Sequence, residues 1–274
     1  DKAITIDFGT YTLTGASGVQ VLHVGGTANV TLTATTGGIN GGSGGNNVAI
    51  IAKENATINI TSGNYTVGGD ANGSGNSTVY VVGNGKVNIS GGTFSSEKTY
   101  QDKYYVLNLY NSDTGSISVT GGTFVGQNPG DGDDNKGGTF LAPGYQSTED
   151  NGAWVVTSLF ASGSGTAEDP FLITSVEQWN AVNTASQQNF AKHGNKYTAE
   201  PSIFFALNTD LEITSGAQGK FGYYAIEHLR SAQIDGRHHT VTLGTNVSPV
   251  NNMYYSEFKD ITFVLNGMPV VGYE

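Results

Sequence analysis

The amino-acid sequence predicts an all-β fold, a right-handed parallel β-helix, from three observations. A stretch recurs five times in the first half, its leading apolar residue at Ile4, Val30, Ile58, Val87 and Ile117, so that rungs are 26, 28, 29 and 30 residues long. A period of this size marks a solenoid, in which each repeat buries its apolar face only against its neighbours. Within each copy the apolar residues alternate (Ile4/Ile6, Val30/Leu32, Ile58/Ile60, Val87/Ile89, Ile117/Val119), which puts them on one face of a strand. Glycine supplies 40 of 274 residues while only 13% are charged, a composition suited to short strands joined by tight turns. The right hand follows from the usual chirality of parallel crossovers.

The elements follow in order. The clearest copies read Ala56-Thr-Ile-Asn-Ile-Thr-Ser-Gly-Asn-Tyr65, Lys86-Val-Asn-Ile-Ser-Gly-Gly-Thr-Phe94 and Ser116-Ile-Ser-Val-Thr-Gly-Gly-Thr-Phe124. A second alternating strand precedes each copy, at residues 21–24, 49–52, 79–82 and 105–109. Third segments follow the glycine turns and vary in length, as at 40–47 and 68–77. Tyr11, Ile39, Tyr65, Phe94 and Phe124 form one column just past those turns, expected as a ladder inside the coil. The alternation leaves Thr5/Thr31/Asn59/Asn88/Ser118 pointing outward.

This first domain is expected to span 1–160, and 161–167 (Ala-Ser-Gly-Ser-Gly-Thr-Ala) reads as a flexible linker. Residues 168–274 form a second, smaller β-helix-like module, expected to be truncated. Ser175 with Gln178 three residues on opens its one helix, over about 175–190, with Trp179, Val182 and Phe190 on one face. That helix is expected to cover strand edges of the second coil. Strands resume at 203–207, 240–243 and 261–265.

Bulk numbers narrow the function. A net charge of −11, with Arg230 and Arg237 the only arginines, argues against nucleic acid and anionic membrane surfaces. Absent cysteine rules out disulfides, thiolate metal sites and a Cys nucleophile. No run of 18 apolar residues exists to insert into a membrane. The chain opens at Asp1 without Met, read as a mature or truncated piece of an exported protein.

Ile89-Ser-Gly-Gly-Thr-Phe94 and Val119-Thr-Gly-Gly-Thr-Phe124 resemble repeats in β-helix modules of adhesin-like surface proteins from commensal, gut-type bacteria. The run from Gly137-Gly-Thr-Phe140 to Trp154-Val155 is similar to the same proteins, as are Gly165-Thr-Ala-Glu-Asp-Pro-Phe-Leu-Ile173 and Asp235-Gly-Arg-His-His-Thr-Val241. The resemblance implies a cell-surface or secreted setting and leaves activity open, since such repeats serve many functions.

Chemistry is sparse. A polysaccharide lyase or glycoside hydrolase, the alternative on such a fold, needs converging carboxylates, and the outward columns hold Asp7 among Thr, Ser and Asn. Asp131, Asp133 and Asn135 space oxygen ligands loosely like a Ca²⁺ loop, but Lys136 and Ala142 stand where Gly and Glu belong. A solvated acidic turn is the preferred reading, with no metal. His238-His239 raises a metal pair, but adjacent residues of a strand point to opposite faces and do not easily share an ion, so a turn is the preferred reading. Eight Asn-x-Ser/Thr triplets follow from the Asn/Thr-rich repeat. The expectation is a non-catalytic, adhesin-like module that binds a glycan or protein, or serves as a rigid stalk. No catalytic residue or cofactor is expected, and His23, Tyr80 and Asn108 are the surface candidates for contact. Variation at 68–77 and 127–136 marks those loops as places where rungs differ.

Overall fold

The computed structural model describes residues 3–69, 76–97, 105–110, 114–132, 138–218 and 222–271. Parallel sheets stack as a β-solenoid of about eight turns, with 47% strand and 8% helix. The chain forms two compact units, Asp1–Leu141 with Gln146–Thr157, and Ala142–Tyr145 with Ser158–Glu274.

The first unit has three sheets, one for each strand of a rung. The repeat itself builds the first, from Ala3–Asp7, Asn29–Thr33, Thr57–Ile60, Lys86–Ile89 and Ser116–Val119, all parallel. Register aligns Ile4, Val30, Ile58, Val87 and Ile117, as the spacing predicts. Val30, Ile58, Val87 and Ile117 are 0–7% exposed, whereas Ile4, on one edge strand, is 50% exposed; the other edge strand is covered by a bridge from Val119 to Leu141. Unequal rungs keep this register because the turns absorb the extra residues.

Gln20–Val24, Val48–Ala52, Ser77–Val81 and Leu107–Leu109 make the sheet preceding each copy. The third sheet differs from expectation. Its strands, Thr12–Thr14, Gly38–Asn40, Asn64–Val67, Thr93–Ser96 and Gly122–Val125, lie immediately past the glycines, and the variable segments follow them. Two antiparallel strands, Ala153–Ser158 and Tyr145–Asp150, extend that sheet beyond Gly122–Val125.

The glycine corner has a steric cause. A Cβ on Gly91 would sit 2.4 Å from the Thr61 carbonyl oxygen, and Gly92 adopts φ +104°, which L side chains rarely reach. The bend turns Phe94 inward. Tyr65 and Phe94 stack at 5.2 Å and Phe94 and Phe124 at 5.0 Å, all three fully buried. Tyr65 donates its hydroxyl to the Ser62 carbonyl at 2.8 Å, and burial pushes its pKa up. Tyr11 does not join this ladder. Register places Leu13 against Ile39, and Tyr11 is 81% exposed. In the first copy a tight turn closes with the Tyr11 N–H on the Phe8 carbonyl, so the register position of Ile39 falls two residues later, on Leu13.

In the second unit, Phe171–Ile173, Ile203–Leu207, Ala232–Asp235 and Glu257–Lys259 form one parallel sheet. Leu211–Ile213, Thr240–Leu243 and Thr262–Val264 form another; Ala217–Gln218, Tyr223–Arg230 and Val247–Tyr254 form the last. Residues 161–167 are no free linker. Ala161 donates to Leu172, Leu172 to Ser162 and Phe204 to Gly165, which binds the segment into this unit. A Cβ on Gly163 would lie 2.1 Å from the Pro170 carbonyl oxygen, so this glycine permits close packing rather than motion.

The helix runs Val176–Lys192 behind its N-cap Ser175, whose hydroxyl accepts from the Gln178 N–H at 3.3 Å. Gln178 reaches back to the Thr174 N–H at 2.7 Å, a near relative of the capping box. Trp179, Val182 and Ala185 are fully buried. On the same side Asn183 accepts from the His228 N–H and Ser186 donates to the His228 carbonyl, each at 3.0 Å. The helix thus satisfies backbone groups of the strand Tyr223–Arg230 that would otherwise invite another strand.

Candidate functional site

His23, Tyr80 and Asn108 fall in one register column of the first unit, with Ile51 between His23 and Tyr80. The column does not present one polar face: His23 is exposed and Tyr80 half-buried, but Ile51 is 1% and Asn108 7% exposed. Asn108 Nδ2 donates to Ser77 Oγ at 3.0 Å, a bond between rungs. Asp131 ends a short 3₁₀ turn, Pro129–Asp131, capped by the Asn128 side chain; Asp133 and Asn135 lie outside the described residues. Among the described residues no three His, Cys, Asp or Glu side chains gather as metal ligands.

Of the two histidines in the 235–241 turn, His239 Nδ1 lies 3.1 Å from Asp210 Oδ1, while His238 is exposed in left-handed backbone at φ 68°. The Thr240 N–H also binds Asp210 at 2.9 Å; that bond and then the His239 bond hold the Asp210 carboxyl below its usual range. Glu177 is likewise held down, by backbone and Ser175 hydrogen bonds at the helix start. Both are exposed carboxylates favoured as anions, the opposite of a general acid.

The outward polar columns of the first unit largely bond to themselves. Asn59 donates to Asn29 at 3.0 Å and Asn88 to Asn59 at 2.9 Å. Asn84 donates to Asn55 at 3.0 Å, and Thr114 to Asn84. Thr33 and Ser62 hydroxyls meet at 3.0 Å, and Thr61 and Thr120 donate to carbonyls of the previous rung. Of the variable loops, 70–75 and 133–137 lie outside the described residues. Gln127, at the start of the second loop, is committed to the fold, clamping both the N–H and the carbonyl of Leu107 at 2.7 and 3.0 Å.

Two open grooves flank the outer face of the third sheet. One, of about 370 Å³, is lined by Asn64, Thr93 and Thr123 beside the glycine corners. The other, of about 680 Å³, includes Thr66, Ser95 and Glu97. Glu97 is already bonded to the Gly69 N–H at 2.9 Å.

A different surface, passed over by the repeat-based reading, lies on the second unit. Phe190 stands near the C-terminal end of the helix, Tyr197 in the loop after it, Arg230 at the end of one strand and Tyr254 at the register partner of Arg230. Tyr197 lies 4.8 Å from Phe190, 5.4 Å from Tyr254 and 5.3 Å from Tyr255, the last two stacked. The Arg230 guanidinium sits over Phe190 at 4.9 Å and Tyr254 at 6.0 Å, and Nη1 donates to Gln187.

Tyr255 is the anomaly. Its φ of +51° puts a bulky side chain in left-handed backbone, and it is 62% exposed. Ser231, one rung earlier, has φ +47°, so the solenoid demands this corner whatever residue occupies it. Asn or Gly would fit at lower cost. Tyr197 is 40% exposed, and its loop is pinned by Thr198 N–H to Ser231 Oγ at 3.0 Å and by Asn189 Nδ2 to Ser202 Oγ at 2.8 Å. Arg230 Nε and His228 Nδ1 are buried with no hydrogen-bond partner, so the patch rests on polar groups that packing leaves incompletely satisfied. The available signal in the sequence was Tyr254-Tyr255, a pair of large rings beside Asn251-Asn252 and Ser256, outside any alternating pattern.

The fold defines the chain as a parallel β-solenoid protein with an aromatic surface patch. No family model, curated protein or solved structure matches it in comparison.

Proposed function

We propose that this chain is a non-catalytic, adhesin-like extracellular module in which a self-bonded solenoid displays a glycan-binding patch on the second unit. The observation that carries the reading is Tyr255, an exposed ring held at a corner where a smaller residue would be less strained. Residues kept in sparsely populated backbone cluster at functional sites, and exposed aromatic faces with adjacent polar groups suit the apolar faces and hydroxyl rims of sugars. The first unit fits a display role, since its outward amides bond between rungs. Glu97, in the larger groove, is committed to a backbone N–H, which disfavours a catalytic role there.

The test is a glycan-array and immobilised-protein screen run beside product assays on soluble polysaccharides. Saturable binding without new reducing or unsaturated ends is expected. Product release would replace this reading with the lyase or hydrolase alternative, and absence of binding to any glycan or protein would leave a spacer role in its place.

A further inference from the structure

We infer that Tyr197 and Tyr255 form an oxidative cross-linking site, where one-electron oxidation joins the two rings as dityrosine and staples the loop after the helix to the strand corner. The site stands apart from whatever the patch binds. Three features carry it.

Ring geometry comes first. Among the described residues two tyrosine pairs stack, Tyr197 with Tyr254 and Tyr197 with Tyr255. Tyr197 and Tyr255 lie 5.3 Å apart and 24° from parallel. Coupling requires a carbon beside the hydroxyl of one ring to meet its counterpart on the other, and stacked neighbours need only slide to reach it. Phe190, 4.8 Å from Tyr197, and the Thr198 N–H bond to Ser231 Oγ hold that side of the pair in place. Such proximity turns an encounter between two molecules into an intramolecular step.

Access is the second feature, and it selects Tyr255 over Tyr254. Tyr255 is 62% and Tyr197 40% exposed, so both rings meet an oxidant in solution. Tyr254 is half-buried, with the Arg230 guanidinium and the His228 ring each 6.0 Å from its own ring. Tyr11, at 81%, is more exposed than either, but among the described residues it stacks on no other tyrosine. Exposure and stacking coincide at Tyr197 and Tyr255.

The third is what the chain offers for covalent reinforcement. It has 14 tyrosines and no cysteine, so oxidation can staple it through phenol rings and not through disulfides. Ser231, at φ +47°, shows that the corner one rung earlier needs no ring, yet Tyr255 holds one there at φ +51°.

The step balances with hydrogen peroxide as oxidant, delivered by a haem peroxidase. Each phenol gives up one hydrogen atom, an electron together with the hydroxyl proton. The two tyrosyl radicals couple at carbons ortho to oxygen and form one C–C bond. The hydrogens on those carbons then move to the oxygens as both rings regain aromaticity. One peroxide is reduced to two waters, and the protein loses two hydrogen atoms.

The experiment treats the 274-residue chain, at low concentration, with a haem peroxidase and hydrogen peroxide. Monomer is isolated, digested and mapped by tandem mass spectrometry. The expected product is a linked peptide pair holding Tyr197 and Tyr255, lighter by two hydrogen atoms and showing dityrosine fluorescence. Tyr255→Phe keeps the ring and removes the phenol. It should cut dityrosine in the monomer about tenfold or more, with Tm within about 2 °C of the parent. Tyr254→Phe and Tyr11→Phe should leave the yield unchanged. The linked monomer should melt about 4 °C or more above the untreated chain, because the link closes a long loop in the unfolded state.

Dityrosine absent from the monomer, or confined to dimers, would overturn the site. A link mapped to Tyr197 and Tyr254, or a yield untouched by Tyr255→Phe, would overturn the choice of ring. Equal yield from the chain unfolded in urea would show that the fold does not direct the coupling, and would overturn the inference as well. An unchanged Tm in the linked monomer would overturn the staple.

Discussion

Phe94 and Phe124 stack at 5.0 Å with their planes 9° apart, one rung above the other, and neither is exposed. The pair is in strand register, so the ring spacing follows the spacing of hydrogen-bonded strands. Tyr65 continues the stack on the other side of Phe94.

Phe94 is therefore stacked on both sides within this ladder. Phe94→Ala leaves a cavity and breaks both stacks, and should destabilise the first unit by about 3–5 kcal/mol. Tyr11→Ala, from the position expected in the same ladder, removes an exposed ring and should cost less than about 0.5 kcal/mol. Urea denaturation of the two variants measures the contrast.

Asn88 donates through Nδ2 to Asn59 of the previous rung. Asn88→Ala should lower stability by about 0.5–1 kcal/mol, a small effect because water replaces an exposed hydrogen bond. Asn88→Asp loses the donor and adds charge, so its cost should be the larger of the two at neutral pH. Denaturation midpoints at pH 7 would show this order.

Gly163 separates a packed segment from a flexible one. A Cβ there meets the Pro170 carbonyl oxygen at 2.1 Å, and its φ is +92°. Gly163→Ala should cost about 2 kcal/mol or more; in a free linker the same change would be neutral or slightly stabilising. Differential scanning calorimetry distinguishes these outcomes.

Asp210 governs one part of the acid response. Hydrogen bonds from the Thr240 N–H and then His239 lower its folded pKa. Its contribution to stability is present above the unfolded value of about 3.9 and is lost as pH falls through the lowered folded value. Asp210→Asn should flatten that part of the acid limb, seen by comparing denaturation midpoints of both proteins between about pH 5 and pH 2.

Legibility differed between the units for a physical reason. In the first, every rung repeats the same alternation, which fixes the register of its first sheet; departures come where a turn changed length, as at Gly9–Tyr11, and in the placing of the third sheet ahead of the variable segments. The strand Tyr223–Arg230 gave no such signal: its fully buried residues, Ile226 and Leu229, are three apart. Pro249 and Asn251-Asn252 similarly obscured Val247–Tyr254. Residues 161–167 have a linker's composition, yet their glycines serve close approach. His23, Tyr80 and Asn108 share one register column, but local sequence did not reveal that Asn108 is nearly covered.

Sequence alone determined the solenoid, its rung boundaries and its glycine corners, because a rung contacts mainly the rungs beside it and the pattern repeats within about 30 residues. Tertiary structure decided the aromatic patch. Phe190, Tyr197, Arg230 and Tyr254–Tyr255 share no period, and they meet because the helix end, its loop and two registered strands converge. A contact made across such separations is set by packing, which no single stretch of the chain encodes.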